Sequence, residues 1–220
     1  MYLSLETRPD VSYAISTVSQ FSHAPTEEAM TAVKRIMRYM GHTKEYSITY
    51  GGKGHQDINI TAYCDANWGG DTHSRKSTSG YVFMLAGGPI AWCSKRQAVV
   101  ALSTTEAEYI ALSQAAREAA WLRQLMNDLG IWTQKEIVPI PINCDNNGAI
   151  ALAKNSEFHK RVRHIDIIYH YVRQEIEKGY ITTLYIPSDQ NLADGFTKPL
   201  NSDKHQEFVR SLGLDRASVS

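Results

Sequence analysis

Four acidic residues stand at positions where their carboxylates could meet and bind a metal ion. Asp65 ends the segment ITAYCD, Asp145 ends the similar segment IPINCD, Glu108 lies in ALSTTEAEYIAL, and Asp194 lies in NLADGF. Carboxylates that share one site cannot all remain ionised unless a cation compensates their charge. Hard divalent ions such as Mg²⁺ prefer oxygen ligands. The four acids therefore indicate metal-assisted chemistry.

Two glutamates in ALSTTEAEYIAL have different expected roles, because residues two apart point to roughly opposite sides of a helix. Ser103 and Glu106 form the capping-box pattern S-x-x-E, which predicts that Glu106 stabilises the helix start and lies on a polar face. Glu108 instead heads an apolar stripe, whose members are Leu112, Ala115, Ala119, Leu122 and Met126. A lone buried carboxylate is costly, so we expect an Arg, a Lys or a metal ion to meet Glu108.

Each candidate also has an ordinary structural interpretation. A single Asp after a strand is more often a turn or cap residue, and Asp194 could simply cap the following helix. The histidines His159, His164 and His170 lack the i, i+4 spacing of a helical metal pair. We therefore expect metal binding at these histidines in only about one case in ten.

The composition is that of an ordinary globular chain. Of 220 residues, 43% are hydrophobic and 21% charged, and Lys+Arg and Asp+Glu both number 23. There is no apolar run of about 18 residues and no signal-peptide pattern, so we expect an intracellular protein that is neither secreted nor membrane-spanning. Three cysteines, Cys64, Cys93 and Cys144, without CxxC spacing fit a reducing compartment and argue against a zinc cluster. A neutral chain would hold nucleic acid through a local patch or through other parts of a larger protein.

Hydrophobic periodicity predicts the elements that position the acids. Residues 1 to about 50 are predicted to be helical, with a second helix that starts at Pro25 and Thr26 and closes at Gly41. DINITAYCDANW predicts a strand, and SGYVFML, GG and PIAWCS predict a hairpin. A long helix from Thr104 to Leu129, the strand IPINCD, the helices NGAIALAK and HIDIIYHYVRQEIEKG and the strand YITTLYIP follow. This order predicts an α/β fold with a mixed sheet, at one edge of which the first two acids would emerge.

Seven segments together resemble the ribonuclease H domain of copia-type LTR retrotransposons. They are AYCDANWGGD, RKSTSGYVFML, PIAWCSKRQ, ALSTTEAEYIAL, INCDNNGAIALAKN, HIDIIYHYVRQEI and NLADGFTKPL. The resemblance implies an RNase H-like fold, with a five-stranded mixed sheet flanked by helices and an N-terminal helical extension. It implies an RNase H-like domain at 56–200, preceded by residues 1–50, which resemble the C-terminal end of a reverse transcriptase. Residues 201–220 are expected to form a C-terminal helix and a loose tail.

The same resemblance implies an endoribonuclease that hydrolyses the RNA strand of RNA–DNA hybrids within a retrotransposon Pol polyprotein. Its catalytic and metal-binding acids fall on Asp65, Glu108, Asp145 and Asp194, which would hold two Mg²⁺ ions, replaceable by Mn²⁺, about 4 Å apart. Asp65 is expected to bridge both ions, Asp145 and Glu108 to complete their shells, and Asp194 to hold the ion on the nucleophile side. Asp65→Asn should then abolish cleavage while hybrid binding survives in Ca²⁺.

The substrate contacts that the resemblance implies lie at two helix starts and one strand end. They are Thr104, Thr105, Asn146 and Asn147, with Lys95 and Arg96 as contacts to the DNA strand. Free backbone N–H groups at a helix start suit a phosphate. Hydroxyl and amide side chains suit the 2′-OH, which distinguishes RNA from DNA.

The expected partners are the RNA–DNA hybrid and the remainder of the Pol polyprotein, especially reverse transcriptase, in a cytoplasmic virus-like particle or in the nucleus. No Asp-Asp pair occurs, so polymerase activity is not expected. The loop PSDQN lacks the histidine that many RNase H enzymes carry, which predicts slower turnover or another group that assists product release. Two alternatives stay open: a catalytically weak or inactive retroelement-derived nucleic-acid-binding domain, and another nuclease or integrase of the same fold. Integrases carry their glutamate last, whereas here it is second.

Overall fold

Helices and strands alternate along residues 2–51, 58–132, 138–155 and 166–216, the part of the chain that this computed structural model describes. The strands are β1 (Tyr46–Ile48), β2 (Thr61–Asn67), β3 (Thr78–Leu85), β4 (Gly88–Arg96), β5 (Ile140–Cys144), β6 (Ile181–Tyr185) and β7 (Leu214–Arg216). The helices are α1 (Tyr2–Glu6), α2 (Ser12–Ser19), α3 (Glu27–His42), α4 (Thr104–Asp128), α5 (Asn147–Lys154), α6 (Asp166–Glu177) and α7 (Ser202–Ser211). Of the helices described, none combines the length and apolarity that crossing a membrane requires.

The central sheet has five strands in the order β4-β3-β2-β5-β6. β2, β3 and β4 form an antiparallel meander, and β5 and β6 run parallel to β2. Parallel neighbouring strands need a crossover connection. Helix α4 connects β4 to β5, and helices α5 and α6 connect β5 to β6. The predicted fold class, an α/β fold with a five-stranded mixed sheet flanked by helices, is confirmed.

Each face of the sheet has its own apolar core. Tyr109 and Leu112 of α4 pack with Cys64, Ile142 and other strand residues on the face covered by α4, α5 and α6. The opposite face packs Val82 against a cluster around the C-terminal helix, which includes Phe196, Phe208, Leu212 and Leu214. The segment after β6 is therefore held against the sheet by its own core.

The N-terminal helices contact the antiparallel end of the sheet. The indole of Trp92 on β4 donates a hydrogen bond to the carbonyl oxygen of Ser4 at 2.7 Å. A His205 ring nitrogen lies 3.2 Å from the carbonyl oxygen of Asp10. Strand β1 pairs antiparallel with β7, so the segment after α3 and the segment after α7 form a small second sheet. The division into segments 1–50, 56–200 and 201–220 stays a prediction.

Several local expectations need correction. The hairpin turns at Ala86 and Gly87, both with positive φ, and not at the Gly87–Gly88 pair. Gly88 already belongs to β4, where a Cβ would lie 2.8 Å from Ile48 and 2.7 Å from Tyr50. Helix α3 runs through Gly41 to His42, because this glycine does not adopt the left-handed conformation that ends helices.

Strands β1 and β7 were not predicted, since runs of three residues are too short to show alternation. His159, His164 and the tail 217–220 lie outside the described residues, whereas His170 is exposed on α6. The role of these histidines stays open.

Candidate metal centre

Parallel strands bring Asp65 and Asp145 to the same edge of the sheet. Tyr63 on β2 is in register with Asn143 on β5, so the residues two positions further along both strands emerge side by side. The Asn143 amide reinforces this pairing by donating to the Ala62 carbonyl oxygen at 2.9 Å. The sequence prediction that these two acids meet at one edge agrees with the geometry.

The segment that follows β6 carries Asp194 back to this edge. The buried Asn191 amide donates to the Cys64 carbonyl oxygen at 2.9 Å, and its oxygen accepts from the Ala193 N–H at 3.1 Å, which starts a short 3-10 helix, Leu192–Phe196. The Thr197 hydroxyl after this helix donates to Asp65 Oδ2. These contacts fix Asp194 beside the end of β2.

Gly80 makes this close approach possible. It lies opposite Asp65 in the β2–β3 register. A Cβ at this position would lie 2.7 Å from Phe196 Cβ and 2.8 Å from Thr197 Cγ2. Any side chain on Gly80 would therefore push the 3-10 helix, and Asp194 with it, away from the strand.

Glu108 points inward from the first turns of α4, as its place on the apolar stripe predicts. It is only 7% exposed, and its Oε2 has no hydrogen-bond partner within the described part of the chain. The backbone N–H of Ala66, directly after Asp65, donates to the Glu108 carboxylate. The helix therefore delivers a carboxylate to the same sheet edge.

Glu106 has the capping role that the sequence predicts. Its N–H donates to Ser103 Oγ at 3.1 Å, and its own carboxylate accepts from the Leu102 N–H at 2.8 Å. The expectation that Glu106 lies on a polar face is wrong, since it too is 7% exposed. The preceding loop, with Ala101 buried, encloses the helix start, and Glu106 is buried because it bonds to that loop.

The carboxylates form two groups that share one member. Carboxylate oxygens of Asp65, Asp145 and Asp194 lie within 4.8 Å of one another, and oxygens of Glu108 and Asp145 lie within 4.8 Å of each other and of Cys144 Sγ. The free Cys144 thiol also accepts a hydrogen bond from the free Cys64 thiol in the core, and hard cations prefer oxygen to sulfur. Asp145 is therefore common to both groups, and the charge of Asp65 also acts on Glu108, so the expected bridging role of Asp65 stays a prediction.

Burial and mutual repulsion favour protons on these acids. Burial, aided by Asp194 and Asp145, raises the pKa of Asp65 to about 6, against a hydrogen bond from Thr197 that lowers it. Burial, with the charges of Asp65 and Asp145, raises the pKa of Glu108 to about 10. Burial also raises the pKa of Asp194, although Lys198 opposes the shift. Such crowded acids lack compensating positive charge.

The donor set fits a hard divalent cation. Four carboxylates converge, and two of their oxygens, Glu108 Oε2 and Asp194 Oδ1, are buried without a hydrogen-bond partner among the described residues. A buried oxygen without a partner is energetically costly, and a cation bound at each of these oxygens would remove that cost. The cluster of Asp65, Glu108, Asp145 and Asp194 is called the acidic cluster below.

Three residues that the sequence analysis overlooked also contact the acidic cluster. The Ser188 hydroxyl, in the loop PSDQN, donates to Asp145 Oδ2 at 2.5 Å. The ammonium of Lys198 pairs with Asp194 Oδ2 at 2.7 Å, and Thr197 bonds to Asp65. The i, i+4 spacing of Asp194 and Lys198 was a usable signal for this ion pair, whereas nothing in the sequence marked the two hydroxyls.

Four of the predicted substrate contacts lie together on one surface. Asn146 caps α5 by accepting from the Ala149 N–H at 2.9 Å. A Cβ on the neighbouring Gly148 would lie 2.9 Å from Thr105 Oγ1, so the starts of α4 and α5 meet here. Thr104 and Asn147 are exposed beside them. This surface borders the acidic cluster through Asp145, which directly precedes Asn146.

Lys95 and Arg96 lie at the end of β4. Lys95 is exposed. Arg96 is already engaged, since its Nη1 donates to Asp71 Oδ2 at 2.6 Å and to Gln20 Oε1 at 2.8 Å. Arg96 would have to leave these partners to hold a DNA phosphate, so its predicted role has less geometric support than that of Lys95.

Retrotransposon Pol polyproteins are similar in sequence to this chain. The chain is 41% identical over 214 residues, 97% of its length, to the retrovirus-related Pol polyprotein from transposon RE1 of Arabidopsis thaliana. It is also 41% identical over the same share to the Pol polyprotein from transposon TNT 1-94 of Nicotiana tabacum. The chain is homologous to a segment of retrotransposon Pol polyproteins. It spans 14% and 16% of the lengths of these two Pol polyproteins.

Two further comparisons accompany the Pol homology. No family model matches the chain. The solved structure of LC11-RNase H1, isolated from compost by a metagenomic approach, matches 64% of this chain and 94% of its own chain, with a TM-score of 0.47 and 16% identity.

Proposed function

We propose that this Pol segment is a nuclease domain that hydrolyses the RNA strand of RNA–DNA hybrids. The observation that carries the proposal is the acidic cluster, with its two buried oxygens that lack partners among the described residues. The cluster lies at the edge of an RNase H-like sheet, in a chain homologous to retrotransposon Pol polyproteins along 97% of its length. These findings together support hydrolysis of a nucleic-acid phosphodiester.

Asp65, Glu108, Asp145 and Asp194 would hold the divalent cations, Mg²⁺ or Mn²⁺. Two such ions, when bound, would activate water and stabilise the leaving oxygen of a phosphodiester. In the reaction, a water oxygen bonds to phosphorus and the bond from phosphorus to the 3′ oxygen breaks. The products carry a 3′-hydroxyl and a 5′-phosphate.

Two hydroxyl groups orient the carboxylates for this task. Thr197 donates to Asp65 Oδ2, and Ser188 donates to Asp145 Oδ2. Each carboxylate thus has one oxygen fixed by a hydrogen bond and keeps its other oxygen for a ligand. Groups that hold a metal-binding side chain in one orientation contribute to metal affinity.

The surface around Thr104, Thr105, Asn146 and Asn147 would receive the hybrid. Hydroxyl and amide groups beside the acidic cluster suit the 2′-OH groups that distinguish the RNA strand. The exposed Lys95 lies on the antiparallel side of the sheet, where it would meet the DNA backbone. The remaining Pol polyprotein, with its reverse transcriptase, would supply further contacts to the nucleic acid, because this chain has zero net charge.

A catalytically weak nucleic-acid-binding domain is the second candidate. Two observations favour it: Lys198 pairs with Asp194, and a serine stands in the loop where many RNase H enzymes carry a histidine. Both features would slow the reaction without preventing hybrid binding. The rate of hybrid cleavage, compared with hybrid affinity, distinguishes the two candidates.

The two glutamates of α4 provide a matched test. Glu106 and Glu108 are equally buried, but Glu106 caps the helix and Glu108 belongs to the acidic cluster. We expect Glu108→Gln to reduce Mg²⁺-dependent cleavage of a labelled RNA–DNA hybrid by roughly a thousandfold, about 4 kcal/mol of transition-state stabilisation. Glu106→Gln keeps a capping side chain and should retain most of the activity.

The substrates and products of the same assay complete the test. Duplex DNA and duplex RNA of the same sequence should resist cleavage, and the RNA products should carry 5′-phosphates. The proposal fails if the wild-type chain leaves the hybrid intact in both Mg²⁺ and Mn²⁺. It also fails if the two glutamine variants cleave at equal rates.

A further inference from the structure

Lys198 gives the acidic cluster a cation of its own. Its ammonium lies 2.7 Å from Asp194 Oδ2, and the Lys198 side chain is 41% exposed while that of Asp194 is 21% exposed. The charges of Asp65 and Asp145 also act on this ammonium. The ammonium therefore occupies a position where positive charge is needed.

This position conflicts with a divalent ion at Asp194. Asp194 Oδ2 already holds the ammonium, so a metal at this oxygen must displace Lys198 or accept a like charge a few ångströms away. The lysine stem is long, flexible and partly exposed, which leaves the ammonium free to move to another anion. The phosphodiester of a nucleic acid would be such an anion, because it must approach the same cluster to react.

We propose that Lys198 competes with the divalent ion for Asp194, and that Lys198 releases Asp194 when the Lys198 ammonium transfers to the substrate phosphate. This inference rests on the proposed function, since it assumes that a phosphodiester reaches the acidic cluster. Metal and substrate then favour each other's binding, because the metal binds Asp194, the phosphate binds Lys198, and either event breaks the Asp194–Lys198 pair. Lys198 thereby limits metal binding at the fourth acid before the hybrid arrives.

The test measures Mn²⁺ affinity of the full chain without nucleic acid, by titration calorimetry. Lys198→Met frees Asp194 and removes a like charge, so we expect it to bind Mn²⁺ on the order of tenfold more tightly than the wild type. Lys204→Met is the matched control, because Lys204 acts on Asp194 only through its charge and is exposed. It should change Mn²⁺ affinity by less than about threefold. Lys198→Arg keeps the ion pair and should behave like the wild type.

A second measurement tests the transfer to phosphate. An RNA–DNA hybrid whose RNA strand alternates ribonucleotides with 2′-O-methyl residues keeps 2′-OH groups for binding and resists cleavage. This hybrid should tighten Mn²⁺ binding to the wild type. The same hybrid should give a smaller gain with Lys198→Met, since no ion pair remains to be released. Equal gains for both proteins would overturn the transfer.

Misfolding is separated from the proposed effect by a double variant. In an Asp194→Asn background, Lys198→Met should change Mn²⁺ affinity by less than about threefold, because only the loss of its charge remains, and thermal unfolding reports whether each variant folds. The inference is overturned if Lys198→Met and Lys204→Met have the same Mn²⁺ affinity, or if no variant binds Mn²⁺. If Lys198→Met tightens Mn²⁺ binding but the wild type cleaves no hybrid, the competition is supported and the nuclease proposal alone fails.

Discussion

Two regions of the molecule bury carboxylates in opposite ways. In the N-terminal ion cluster, formed by Arg8, Asp10, Tyr39 and Thr43, Asp10 Oδ1 accepts from Arg8 Nε at 2.9 Å. Asp10 Oδ2 accepts from Arg8 Nη2 at 2.8 Å and from the Tyr39 hydroxyl at 2.6 Å. Arg8 also donates to the Thr43 hydroxyl and carbonyl oxygen. In the acidic cluster, four carboxylates face one ammonium ion, and two oxygens lack partners among the described residues.

The difference shows why burial alone does not identify a functional acid. Asp10 is as buried as Glu108, at 6% against 7% exposure. Asp10 has both carboxylate oxygens hydrogen-bonded and holds α3 and the chain before α2 together. In contrast, one Glu108 oxygen has no partner within the described ranges and lies beside other acids. Missing compensation, and not burial, indicates a site arranged for a ligand.

Removal of the Arg8 guanidinium should leave an uncompensated carboxylate in the N-terminal ion cluster, as in the acidic cluster. Arg8→Met leaves the Asp10 carboxylate buried without its charged partner, so we expect the free energy of unfolding to fall by about 3–5 kcal/mol. Arg96→Met is the control, because its pair with Asp71 has an Arg side chain that is 39% exposed, and exposed pairs contribute about 0–1 kcal/mol. Urea denaturation of both variants measures the difference, and equal losses would contradict the comparison.

A glycine-to-alanine substitution in each region tests whether that region has room for an added methyl group. Gly80→Ala places a Cβ 2.7 Å from Phe196 Cβ, so we expect a loss of about 1–3 kcal/mol from overpacking and weaker Mn²⁺ binding at the displaced Asp194. Gly41→Ala in α3 has nothing within 4 Å of its Cβ and should stabilise the chain by about 0.5 kcal/mol. Thermal unfolding and Mn²⁺ titration measure both effects. Unchanged Mn²⁺ affinity in Gly80→Ala would show that this close approach does not position the acid.

The pH dependence of the free energy of unfolding should reveal the raised pKa values of Asp65 and Glu108. Burial raises the pKa of Asp65 to about 6 and that of Glu108 to about 10, so the folded, metal-free chain retains protons that the unfolded chain releases near pH 4. Their contribution to stability is complete below about pH 4. The contribution of Asp65 is lost as the pH rises to about 6, and that of Glu108 is lost as the pH rises to about 10. The free energy of unfolding falls by no more than about 1.4 kcal/mol per pH unit for each group.

Urea denaturation in EDTA between pH 5 and 9 measures this slope. Glu108→Gln should flatten it, because glutamine does not titrate. Mg²⁺ should stabilise the wild type more at pH 9 than at pH 5, since the ion replaces protons that are absent at the higher pH. A metal-free stability that rises with pH over this range, with no response to Glu108→Gln, would mean that these acids are compensated.

The sequence was most informative where a pattern repeats over many residues. The 25-residue helix α4 has enough periodicity to place Glu108 on the inward side. The alternation in β2 and β5 brought Asp65 and Asp145 to one edge, and the resemblance supplied Asp194. These predictions needed only the direction of each side chain and the order of the elements.

What the sequence did not predict depends on contacts between distant segments. Ser188 and Asp145 are 43 residues apart, and Thr197 and Asp65 are 132 apart. Glu106 is buried by a loop that periodicity cannot position, and β1 and β7 exist because they pair with each other. No local pattern encodes such pairings, since they follow from how the finished fold packs.

Anomalous diffraction from crystals grown with Mn²⁺ and the uncleavable hybrid would test the metal centre most directly. We expect manganese peaks in contact with carboxylate oxygens of Asp65, Glu108, Asp145 and Asp194. Crystals of Glu108→Gln should lose occupancy at one peak. A manganese-free acidic cluster with hybrid bound beside it, or peaks confined to other parts of the chain, would contradict the account.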